Sequence, residues 1–112
     1  MMTPSKYFVG GAITLTAQFT GSDGNLADPT TVVLKLKAPH GKLLTYTYGT
    51  DANVSKASTG NYEAIVTPDC AGRWFTRWEG TDALGNVLPI EDFIAVQRSR
   101  FLHGPDCYWD YL

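Results

Sequence analysis

This chain has little of the chemistry from which most active sites are built. Its 112 residues include only two histidines and two cysteines, and no Cys-x-x-Cys pair supplies the spacing of a structural zinc site. Cys70 and Cys107 stand far apart in the sequence. With no sign of an oxidising compartment they read as two unpaired thiols, and a Cys70–Cys107 disulfide stays open as the alternative. No glycine-rich phosphate loop, no Gly-x-Ser-x-Gly elbow and no evident carboxylate pair is present, so the chain is expected to be a non-enzyme without metal or cofactor. A basic excess is missing too. Nine Lys/Arg against eleven Asp/Glu give a net charge of -2, which does not suit direct contact with a phosphate backbone, so nucleic acid is not an expected partner. Long apolar runs are also lacking. The first eleven residues hold no secretory h-region, and runs such as Val32-Val33-Leu34 fall far short of the ~20 residues of a membrane helix. The expectation is a chain made in a cytosol-like compartment, with no membrane partner.

What is present is a globular composition, 44% hydrophobic and 18% charged, in a length suited to one domain. Its dominant signal is a period of two. Ile13, Leu15, Ala17 and Phe19 alternate with Thr14, Thr16 and Gln18, as in a half-buried strand. Residues 21–25 are a cluster of turn formers, and Asp28-Pro29 adds a bend. Residues 31–37 alternate again and lead through Ala38-Pro39-His40-Gly41 into residues 43–48, a predicted hairpin. A short edge strand is expected at 54–57, and a strand from Tyr62 that Pro68 stops. In residues 73–80, Trp74, Thr76 and Trp78 face one way and Phe75, Arg77 and Glu79 the other. Residues 87–90 and 93–96 suggest a last pair of extended segments. No window carries a helical period.

About seven short strands at regular spacing predict an all-β fold, a sandwich or small barrel. The expected shared core is Ile13, Leu15, Phe19, Leu34, Leu36, Tyr62, Ala64, Trp74 and Trp78. The organisation reads as an N-terminal arm at 1–11, a β-sandwich at 12–96 and a tail at 97–112. Gly60-Asn61-Tyr62 fits a corner in which the tyrosine hydroxyl bonds backbone a few residues upstream, so Tyr62 is assigned with Trp74 and Trp78 to the structural core. Asp23, Asp28 and Asp51 lie in loops without the spacing of a calcium loop, and read as turn residues. The tail is aromatic-rich and apolar: Phe101, Leu102, Tyr108, Trp109, Tyr111 and Leu112 would be costly to leave in water, so it either folds back on the domain or docks on another subunit.

Five spaced elements, Asp28-Pro29-Thr30-Thr31-Val32, Pro39-His40-Gly41, Thr45-Tyr46-Thr47-Tyr48-Gly49, Ser58-Thr59-Gly60-Asn61-Tyr62 and Ala71 to Gly80, resemble small Ig-like virion proteins of tailed bacteriophages and prophages. The resemblance spans about residues 8–96. It implies an Ig-like, fibronectin-III-like antiparallel β-sandwich of about seven strands with an extended C-terminal tail. It implies a non-enzymatic structural role at the neck, collar or head-tail connector, in a homo-oligomer that contacts head, portal or tail subunits within a virion assembled in the host cytoplasm. Capsid decoration, and an Ig-like module that binds a host surface or glycan through exposed aromatics, are the alternatives.

Overall fold

The computed structural model describes residues 7–99 and 101. Eight strands run through them: β1 (Tyr7–Phe8), β2 (Ile13–Gln18), β3 (Thr31–Lys37), β4 (Leu43–Thr47), β5 (Val54–Ser58), β6 (Asn61–Val66), β7 (Gly72–Thr81) and β8 (Val87–Gln97). One sheet has the order β1-β8-β7-β3-β4 and the other the order β2-β6-β5. The chain lays down the β3–β4 hairpin in the larger sheet, crosses to build β5 and β6 in the smaller one, and returns for β7 and β8.

The alternation of the sequence accounts for the core. Along β3 the buried residues are Val32, Leu34 and Leu36, and along β7 they are Gly72, Trp74, Thr76, Trp78 and Gly80. Antiparallel register sets Leu34 beside Trp78 and Leu36 beside Thr76, so each row points its large side chains at the smaller sheet, which supplies Ile13, Ala17, Tyr62, Ala64 and Val66. Trp74 and Trp78 are 3% and 2% exposed. Burying an indole calls for a partner for its N–H, and Trp74 Nε1 donates to the carbonyl oxygen of Cys70 at 3.0 Å. Leu15, expected in the core, is only partly buried at its margin.

Four features differ from the sequence-based expectation. The two last extended segments are one strand, Val87–Gln97, pairing with β7 along its whole length. Pro89 does not interrupt it, because β8 has a second neighbour only at Val96 and Gln97, and an edge strand tolerates a missing N–H. That second neighbour is β1, which pairs in parallel, so the fold is not wholly antiparallel.

The third difference concerns Tyr62. Its hydroxyl donates to Asp28 Oδ1 at 3.2 Å rather than to nearby backbone. The same oxygen accepts the Gly60 N–H at 2.8 Å, while Oδ2 accepts from Lys56 Nζ at 2.9 Å. A charged acceptor outcompetes a carbonyl, and the loop between β2 and β3 delivers one here. The fourth is Cys70, which takes part in a disulfide; Cys107 lies outside the described residues. The unpaired expectation rested on compartment, whereas geometry decides pairing.

Candidate ligand-binding face

The smaller sheet covers the inner face of the larger one, which leaves the outer face of β8-β7-β3-β4 to solvent. Period-two geometry sends Arg73, Phe75, Arg77 and Glu79 outward from β7 between its buried residues. Register then assembles them with residues distant in sequence. Lys37 pairs with Leu43 on one side and Phe75 on the other, and Phe75 pairs with Phe93, so Leu43, Lys37, Phe75 and Phe93 form one row across four strands. The row beside it is Thr45, Lys35, Arg77 and Glu91.

The first row is largely apolar and open. Leu43, Phe75 and Phe93 are 58%, 48% and 50% exposed. The two phenyl rings lie with centroids 6.5 Å apart at 56°, and the guanidinium of Arg73 sits 4.7 Å from the centroid of Phe93. That contact places the guanidinium over an aromatic ring and limits the side chain's rotamers.

The second row is a charge network. Arg77 Nε donates to Glu79 Oε2 at 2.6 Å, Lys35 Nζ donates to the same oxygen at 3.1 Å, and Arg77 Nη1 donates to Glu91. Arg77 first and Lys35 second hold the Glu79 carboxyl below the ordinary carboxylate range, and Glu79 and Glu91 in turn raise Arg77. Pairs so exposed contribute little to stability. Their effect is to fix the orientation of polar groups beside the rings. A shallow groove of about 440 Å³ runs between the rows, lined by Lys35, Lys37, Leu43, Phe75, Arg77 and Glu91, with Thr76 and Asp92 completing it. Apolar surface with a few fixed polar groups is the ordinary composition of a binding site.

A larger concavity of about 530 Å³ opens at the end of the molecule between the β2–β3 and β7–β8 loops. Its acids are engaged in shaping those loops. Asp28 ties Gly60 and Tyr62, and Asp82 Oδ1 accepts the N–H groups of Leu84 and Asn86. Asp23 likewise binds Asn25, and Asp51 accepts the Thr47 N–H at 2.7 Å. Asp23, Asp28 and Asp51 are therefore dispersed, and no cluster suited to a metal ion occurs among the described residues.

Of the residues singled out from sequence, Tyr62, Trp74 and Trp78 are buried together in the core. Phe101 is 91% exposed. Leu102, Tyr108, Trp109, Tyr111 and Leu112 lie outside the described residues. The outward direction of Phe75 is legible in the alternation of β7. Its pairing with Phe93 and with Lys37 is not, because only strand register brings those three together.

No family model and no curated protein sequence matches this chain. Its fold is similar to part of the chitinase ChiW from Paenibacillus sp. str. FPU-7, a bacterial cell-surface-expressed multi-modular enzyme, with a TM-score of 0.55 and 18% identity over 82% of this chain. The chain spans 8% of the length of that protein. At this identity the likeness is one of fold alone.

Proposed function

We propose that this chain is a non-catalytic, Ig-like β-sandwich module that binds carbohydrate at a cell or particle surface through the outer β8-β7-β3-β4 face. The observation that carries this proposal is the exposed Phe75–Phe93 pair, of which Phe75 lines a groove beside fixed charged groups. Aromatic faces take the apolar faces of sugar rings, and the Arg77–Glu79–Glu91 network offers oriented donors and acceptors for hydroxyls.

Two further observations support it. The fold occurs as a small part of a bacterial cell-surface-expressed multi-modular chitinase. The disulfide at Cys70 suits a chain exposed to an oxidising exterior. A shallow open groove binds weakly, and copies in an assembly or in a multi-modular chain add to that affinity by multivalency.

The test is a glycan array probed with the wild-type chain and with Phe75→Ala and Phe93→Ala. Binding to a defined glycan class, lost in both variants while their melting is unchanged, is the expected result. Absence of glycan binding, or binding indifferent to both substitutions, refutes the proposal. Incorporation into a virion, as capsid decoration or at the neck, is the competing proposal from the sequence resemblance. Co-purification with phage particles through the terminal segment, in a chain that binds no glycan, would establish it instead.

A further inference from the structure

The charges of the outer face do not cancel. Its outward residues include Lys35, Lys37, Arg73 and Arg77 against Glu79 and Glu91, a cationic face on a chain whose net charge is -2. The internal network uses Lys35 and Arg77 to neutralise both glutamates. Among the described residues, no carboxylate lies within ion-pair distance of Lys37 or Arg73. Asp92, which accepts the N–H of Phe93, is the one acid of the groove outside the network, so two unneutralised cations outnumber it.

The two cations also have a definite placement. Lys37 flanks Phe75 across the β3–β7 register, and Arg73 lies over Phe93 at the far side of the ring pair. A ligand with its sugar faces on the rings would therefore meet a positive charge at each end. Arginine with one face occupied by an aromatic ring keeps its N–H edge free, and that edge matches the two oxygens of a carboxylate.

We infer that the carbohydrate bound here is anionic, a chain of uronic acids whose carboxylates pair with Lys37 and Arg73 while the rings of Phe75 and Phe93 take its sugar faces. This rests on the carbohydrate proposal above. One carboxylate per sugar suits two cations standing apart, whereas a densely charged polymer would also bring its charge against Asp92, the groove acid that the network leaves unneutralised.

Isothermal titration with a galacturonic acid hexamer and with a neutral N-acetylglucosamine hexamer tests it. The acidic hexamer is expected to bind at least about tenfold more tightly than the neutral one, as one charge-assisted contact provides. Lys37→Gln and Arg73→Gln should each weaken it by about tenfold, and added salt should weaken it further. Both residues are exposed, and unchanged melting of the variants shows that the fold is intact. Equal binding of the two hexamers, unaffected by either substitution, overturns charge selection and leaves the carbohydrate proposal standing. If neither hexamer binds and the glycan array is also blank, both fall. Equally tight binding of a glutamate hexamer overturns the inference, because charge alone would then suffice.

Discussion

Gly60 offers a direct test of how the loop between β2 and β3 is fastened. Its φ is +75°, and a Cβ there would stand 2.7 Å from the carbonyl oxygen of Phe19 and 3.0 Å from the backbone nitrogen of Ala27. Both neighbours are backbone and already bonded. The Phe19 N–H donates to the Gly60 carbonyl at 2.8 Å, and the Ala27 N–H donates to the Phe19 carbonyl at 3.1 Å. Gly60→Ala therefore carries two separable costs. Left-handed backbone costs a residue with a Cβ about 1–2 kcal/mol, and forcing a methyl group into packed surroundings adds about 1–3 kcal/mol. For a domain of this size the sum corresponds to a fall in melting temperature of roughly 10–25 °C.

Two other glycines isolate the terms. Gly41, in the β3–β4 turn, has φ +100° and nothing within 4 Å of its Cβ position, so Gly41→Ala reports the backbone term alone. Gly80 is not among the positive-φ glycines, but its Cβ would stand 2.7 Å from Phe19 Cε1 and 2.8 Å from Pro29 Cγ, so Gly80→Ala reports the packing term alone. Thermal melts followed by circular dichroism should place Gly60→Ala below both. If Gly60→Ala melts no lower than Gly41→Ala, the loop yields freely and the backbone contacts at Gly60 do not fasten it.

Burial first, and Asp28 second, push the Tyr62 hydroxyl up to about 12. A folded-state pKa above the unfolded value near 10 means stability that is complete below pH 10 and is lost as pH rises through 12. Tyr62→Phe should remove that alkaline loss, measured by urea unfolding across the range, and should cost about 1 kcal/mol at neutral pH for the lost bond. Asp28 behaves oppositely. The Gly60 N–H first and Lys56 second lower its pKa, so its contribution is present above the ordinary carboxylate range and is lost as pH falls through the lowered value. Asp28→Asn should flatten the acid limb of the same profile, and an unchanged limb would show the bonds to be incidental. Trp74→Ala, which empties a buried indole site and removes the indole's hydrogen bond to the Cys70 carbonyl, should cost about 3–5 kcal/mol in chemical denaturation; a loss under ~1 kcal/mol would mean that the indole is not packed in the core.

Local pattern decided much of this protein. Alternation along residues 13–18, 31–37 and 73–80 assigned strands and their inner faces because a pleated chain sends successive side chains to opposite sides, and Trp74 and Trp78 follow that rule into the core. Pro39-His40-Gly41 marked its hairpin because Gly41 supplies the turn's positive φ. Tertiary structure decided everything that depends on which strand lies beside which. It joined residues 87–97 into one strand, since pairing with β7 supplies backbone partners that a local break at Pro89 does not remove. It brought Asp28 to Tyr62 across 34 residues of chain, and it set Phe93 and Lys37 on either side of Phe75. A strand's own sequence fixes the direction of each side chain but carries no record of its neighbour, and a binding face is made of neighbours.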